Sequence, residues 1–181
     1  MPDPRVAWEF LRAAERLNSA EQVALAMHRV AREITSSLGE AYPLVLTVMN
    51  GALVFGGQLL PMLRFPLDVD YVHATRYGNA VAGGRIAWKV PPPAGVRGRS
   101  VLVLDDILDG GETLCAIREE ILALGAASFH CAVLVNKALA RAKPIRADFV
   151  GLQIADRFVF GCGMDAKGYW RNLPDIYAMK E

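Results

Sequence analysis

Hydrophobic positions recur along the chain with different spacings, and each change of spacing marks an element. Val23, Met27, Val30, Ile34 and Leu38 are three or four residues apart, as on one face of a helix. Ser19 and Gln22, in S-A-E-Q just ahead of them, match a capping box, and Gly39 is placed to stop the helix. Asp3-Pro4 reads as the cap and first residue of an earlier helix ending near Leu17. After Gly39 the apolar residues become continuous. P-L-V-L-T-V-M (43–49), L-D-V-D-Y-V-H-A (67–74), V-L-V-L (101–104), S-F-H-C-A-V-L-V (128–135) and D-F-V-G-L (148–152) predict strands. A-L-V-F-G-G-Q-L-L-P-M-L (52–63) and E-T-L-C-A-I-R-E-E-I-L-A-L (112–124) predict helices, the second closed by Gly125. Apolar strands separated by helices predict an α/β fold whose mostly parallel sheet is covered on both faces.

Residues 75–99 break this rhythm. The segment is rich in Gly, Pro and Arg, and within it R-I-A-W-K-V alone is strand-like. So long an insertion in a compact domain predicts a lid over a site.

The 181 residues are enough for one domain, 1–181, and an apolar share of 53% excludes a disordered chain. No apolar run reaches the ~18 to 20 residues of a membrane span, and M-P-D-P-R-V-A-W-E-F shows no secretory h-region. Cys115, Cys131 and Cys162 suggest neither a disulfide framework nor a zinc site, so a cytoplasmic location is the default expectation. With 20 basic and 19 acidic residues, no bulk attraction for nucleic acid is expected.

Ligands of an open parallel sheet bind beyond the carboxyl ends of its strands. Sorted by that rule, Asn50-Gly51, then Asp105, Asp106 and Asp109, then Asn136-Lys137, then A-D-R-F-V-F-G-C-G-M-D ending at Asp165 should share one edge. The turn D-G-G-E-T can aim main-chain N–H groups and a helix N-terminus at a phosphate. Asp109 and Glu112 would repel that phosphate unless they point away, so the amides and the Thr113 hydroxyl should hold it. Asp105 and Asp106, adjacent on extended backbone, face opposite sides. They would suit two ribose hydroxyls or a magnesium-bound sugar.

V-L-V-L-D-D-I-L-D-G-G-E-T-L (101–114) resembles the phosphoribosyl-diphosphate signature of type I phosphoribosyltransferases, and Asp109 at its variable position resembles the 6-oxopurine (hypoxanthine-guanine) branch. The resemblance covers nearly the whole chain from residue 43. It implies that family's fold, with a small hood at about 153–181 joined by the N-terminal segment, and a mobile lid at about 75–99. It implies a magnesium-dependent, purine-salvage transfer of the 5-phosphoribosyl group from phosphoribosyl diphosphate to N9 of hypoxanthine or guanine, giving IMP or GMP.

Carried over position by position, the resemblance gives Asp105 and Asp106 the ribose hydroxyls and a share in the metal. Main-chain amides of Asp109, Gly110, Gly111, Glu112 and Thr113 hold the 5′-phosphate, and Asp109 is the acid/base group near purine N7. Lys137 donates to the 6-oxo group, Phe158 stacks on the base, and the Val159 carbonyl accepts from it. Asp165 binds magnesium, Arg171 reaches the diphosphate, Asn50-Gly51 form the diphosphate loop, and Arg76-Tyr77 form the lid tip. The family often holds the loop peptide bond cis, which predicts a cis Met49–Asn50.

The chain departs from the family in four places. M-N-G-A stands where Leu, then Lys or Arg, then Gly is usual; Arg76 replaces a Ser, Asn136 an Asp and Cys162 a Tyr. A xanthine-preferring or other type I phosphoribosyltransferase, or an RNA-binding sensor of phosphoribosyl diphosphate, are the alternatives. Small-molecule substrates and a homodimer or homotetramer are expected, with the 52–63 helix and the N-terminal helix as contacts, and neither nucleic acid nor membrane.

Overall fold

All five residues of β2 (Leu44–Val48) are buried, because this strand has parallel neighbours on both sides and helices above and below. The computed structural model describes residues 3–76 and 86–180. Ahead of β2 come α1 (Pro4–Ala13), β1 (Ala14–Asn18) and α2 (Ala20–Leu38). After it come α3 (Leu53–Leu59), continued by a 3-10 turn at Leu60–Met62, then β3 (Asp68–Arg76) and β4 (Ile86–Val90). The chain continues through β5 (Ser100–Leu108), α4 (Glu112–Ala123), β6 (Ser128–Ala138), β7 (Phe149–Ala155), β8 (Val159–Phe160) and β9 (Ile176–Met179).

The main sheet has the order β4-β3-β2-β5-β6-β7, parallel throughout except where β4 pairs antiparallel with β3. Alternation along β2 and β5 divides the core. Val45, Leu102 and Leu104 pack toward α2 and α3, while Leu44, Leu46, Val101 and Val103 pack toward α4. Both faces are therefore covered, as a sheet of near-continuous apolar strands requires. The connection from β6 to β7 contains no helix, contrary to strict strand–helix alternation.

The capping box forms as its sequence predicts. Ser19 accepts from the Gln22 N–H, and the Gln22 side chain accepts from the Ser19 N–H at 2.8 Å. Gly39 ends α2 while keeping right-handed backbone, so its left-handed freedom is not used there. Gly125, at φ +90°, uses it after α4.

Several boundaries move. The first helix stops at Ala13, because Ala14–Asn18 pairs antiparallel with β9 in a second sheet of order β1-β9-β8. β5 runs through Asp105 and Asp106 to Leu108, and β6 through Asn136 and Lys137, so these residues lie inside strand ends rather than after them. The strand-like R-I-A-W-K-V becomes β4. Tyr77 of the expected lid tip, with residues 78–85 of the expected lid, lies outside the described residues.

α1 packs on the loop that follows β8. Trp170 Nε1 donates to the Ala7 carbonyl at 2.7 Å, and the Trp8 and Trp170 rings meet edge to face at 5.0 Å. Lys167 lies over the Phe10 ring in the same contact.

Replacing Ser19 with Ala is expected to remove about 1 kcal/mol of stability. The measure is a lower urea midpoint at unchanged slope, and an unmoved midpoint would show that the cap stabilises nothing.

Candidate active site at the carboxyl edge of the sheet

Glycines bring the loops of the edge together. The Met49–Asn50 peptide bond is cis, and Gly51 then passes so close to the Asp106 carboxylate that a Cβ there would collide with it. Gly163, at φ +103°, lies against the Gly51 carbonyl in the same way. Segments 49–51, 105–106 and 163–171 thus meet although they are far apart in sequence. Between them opens a cleft of about 480 Å³ lined by Asn50, Gly51, Asp105, Asp106, Asp109, Gly110, Gly111, Thr113 and Arg171, among others.

Asp105 and Asp106 are nearly inaccessible to solvent. Burial, followed by the adjacent charge of Asp106, pushes Asp105 well above the usual carboxylate range. Burial raises Asp106 too, opposed by a hydrogen bond involving Asp105, the Ile107 amide and the charge of Arg171. Arg171 donates to the Gly163 carbonyl at 2.6 Å and pairs with Asp165 at 2.5 Å, while Asp165 also accepts from the Gly168 N–H at 2.6 Å.

The acids beside the glycine turn are paired with cations, and the Glu112 carboxylate with its Arg141 partner lies against Gly110. Asp109 pairs with Lys137 at 3.3 Å, and Glu112 with Arg141 at 2.9 Å. Gly111, at φ +93°, caps the 12-residue α4 with no side-chain hydrogen bond, so no cap side chain covers the positive end of that helix. The result is a pocket whose turn can take an anion and whose floor carries two carboxylates.

Lys137 is 11% exposed and also lies 3.8 Å from Asp156, so its ammonium is fixed between two carboxylates next to the cleft. Phe158 is 51% exposed, an unusual position for a large apolar ring. The Met179 N–H donates to the Phe158 carbonyl at 3.2 Å, and Val159 faces Ala178. Hydrogen-bonded positions alternate along an antiparallel pair, so the Val159 carbonyl points away from β9, across the open edge of the small sheet.

Among the described residues, no three His, Cys, Asp or Glu side chains form a metal cluster. The donor set nevertheless fits magnesium, which uses one or two carboxylates and completes its shell with water and substrate oxygens. Asp105, Asp106 and Asp165 are the residues that could supply those carboxylates.

Lys137, Phe158, Val159 and Asp165 do not line the cleft itself; Asp109 and Arg171 connect Lys137 and Asp165 to it. Glu112, paired with Arg141, lies against Gly110 and does not line the cleft. His73, Thr75 and Lys89 line the cleft and were not expected. His73 and Thr75 lie toward the carboxyl end of β3 and could have been found by the same edge rule. Lys89 comes from the antiparallel β4, to which that rule gives no weight. Lys143, which bonds to Leu108 and Asn136, lies between β6 and β7 and has no sequence signal at all.

Residues 13–167 match the family model described as the phosphoribosyl transferase domain. The hypoxanthine-guanine phosphoribosyltransferase of Bacillus subtilis is 33% identical over 165 residues, covering 91% of this chain and 92% of the relative. A crystal structure of a hypoxanthine-guanine phosphoribosyltransferase from Bacillus anthracis superimposes with a TM-score of 0.82 at 26% identity, covering 91% of this chain and 96% of that one. The hypoxanthine phosphoribosyltransferase of Trypanosoma cruzi, solved as a point mutant in a ternary substrates complex, gives 0.85 at 26% identity, with 93% and 97% covered. Fold, cleft and relatives agree, and the chain belongs to the phosphoribosyl transferase family, in its hypoxanthine-guanine branch, as a purine phosphoribosyltransferase enzyme.

Proposed function

We propose that the enzyme uses magnesium and phosphoribosyl diphosphate to place a 5-phosphoribosyl group on N9 of hypoxanthine or guanine, giving IMP or GMP and diphosphate. The observation that carries this reading is the Lys137–Asp109 pair at 3.3 Å beside the glycine turn, with Lys137 also 3.8 Å from Asp156, two residues ahead of the exposed Phe158. It offers a fixed donor and a carboxylate to one edge of a flat base.

The base is its own nucleophile, so the protein needs none. Asp105 and Asp106 would grip the ribose hydroxyls, while the amides from Asp109 to Thr113 hold the 5′-phosphate at the start of α4. Phe158 stacks on the purine, and the Val159 carbonyl accepts from its N–H groups. Asp109 moves the purine proton at N7. A magnesium ion held by Asp165, with Asp105 and Asp106, would supply positive charge to the diphosphate as it leaves. Asn50-Gly51 amides, Arg171 and Lys89 would hold the same group. Arg76-Tyr77, on the lid, would close over the cleft and exclude water.

Selectivity for the 6-oxo group follows from Lys137. An ammonium has donors only, so it satisfies an oxygen and is left unpaired opposite an amino group.

The direct test is the pure protein with magnesium, phosphoribosyl diphosphate and hypoxanthine, guanine, xanthine or adenine in turn, followed by absorbance. Rapid turnover of hypoxanthine and guanine is expected; conversion of none of the four would reject the reading. Asp109→Asn should cut turnover by about 10² to 10⁴ while GMP binding persists, and unchanged turnover would remove Asp109 from its role. In Lys137→Gln, discrimination against adenine, expected at about 10⁴ in the wild type, should collapse; an unaltered guanine-to-adenine ratio would exclude Lys137 as the selector.

The raised Asp105 gives a pH test. The folded state holds that proton more tightly than the unfolded chain, so its contribution is lost as pH rises through and above the ordinary carboxylate range. Asp105→Asn should therefore raise the urea midpoint of the unliganded protein at about pH 8, with a smaller gain at about pH 4. An equal gain at both would show that charge burial is not the cause.

A further inference from the structure

We infer that Lys143 is a positioning residue for the base end of the site, holding Asp109 and Lys137 at their working separation. The inference rests on the reading above, in which those two groups meet the purine. Lys143 Nζ donates to the Leu108 carbonyl at 2.6 Å and to Asn136 Oδ1 at 2.7 Å. Leu108 immediately precedes Asp109, and Asn136 immediately precedes Lys137.

Leu108 and Asn136 are also register partners, the last pair of the β5–β6 ladder. Beyond them Asp109 leaves the sheet for the glycine turn while Lys137 continues along β6, so the ladder cannot set the distance between the two side chains. The ammonium of Lys143 bridges the two strands where their pairing ends. Asn136 extends the bridge, since its Nδ2 donates to Gln153 Oε1 at 3.0 Å and Gln153 is its partner on β7. Three parallel strands are thus tied side by side just below the base.

Both acceptors are uncharged, so these two contacts do not neutralise Lys143. Its surroundings are the charges of Asp109, Lys137, Arg141 and Asp156, the ionic groups of the base end itself. Burial lowers the Lys143 pKa, and Asp109 and Asp156 act against that, favouring the charged form. Hydrogen bonds from an ammonium are stronger than neutral ones, which suits a brace beside a carboxylate that is itself 55% exposed. The brace matters because a catalytic pair must be held more closely than a surface ion pair holds itself.

The test replaces Lys143 with Met in the full chain and measures both substrates. The KM for guanine should rise about tenfold while that for phosphoribosyl diphosphate stays within about twofold. In a Lys137→Gln background the same change should add less than about twofold, because the group being positioned is gone. A guanine KM that does not move, equal effects in the two backgrounds, or a parallel rise in both KM values with a fall in urea midpoint would each overturn the assignment. If Lys143→Met does not fold, Asn136→Ala, which removes one of the two acceptors, must show the same selective rise in guanine KM, and its absence is equally decisive. Failure of the wild type on every purine would instead reject the functional reading, so the two failures are distinct.

Discussion

Asp105 and Asp106 lose nearly all their water because β5 carries them just past its pairing with β2, where β6 still flanks the strand and Gly51 and Gly163 close on Asp106. Two adjacent carboxylates there are costly, and the elevated pKa of each expresses that cost. Much of the surrounding structure answers to this constraint. Gly51 and Gly163 have no side chains because the Asp106 carboxylate and the Gly51 carbonyl occupy the space. Arg171 contributes positive charge to Asp106 while its guanidinium is fixed by Asp165. On the proposed function, a metal-bound sugar would supply charge and hydroxyls to match the buried acids.

Cations are distributed around the same edge with separate tasks. Arg141 holds Glu112, Lys137 holds Asp109, and Arg171 holds Asp165. Each acid at the glycine turn is thereby partnered, and the Glu112–Arg141 pair lies over Gly110.

Local chemistry made much of this legible in the sequence. The capping box at Ser19, the apolar strands and the stop at Gly125 depend on neighbours in sequence, and they form as written. The convergence of Asn50-Gly51, Asp105, Asp106 and Asp109 followed from one topological rule. What was missed depends on distant partners. Ala14–Asn18 is a strand because Ile176–Met179 pairs with it, and no local spacing announces that. Lys89 reaches the cleft from an antiparallel strand, and Lys143 reaches the Leu108 carbonyl from a connection without regular structure.

The small sheet has a consequence for biosynthesis. Val159 owes the direction of its carbonyl to pairing with β9, and β9 is in turn flanked by β1 from the other end of the chain. The large sheet, with its acids and glycine turn, is complete by Ala155 and is therefore synthesised before Ile176–Met179. On the proposed function the purine-reading edge depends on those last residues, so shortened chains lacking them would lose base recognition while keeping the acids and the glycine turn.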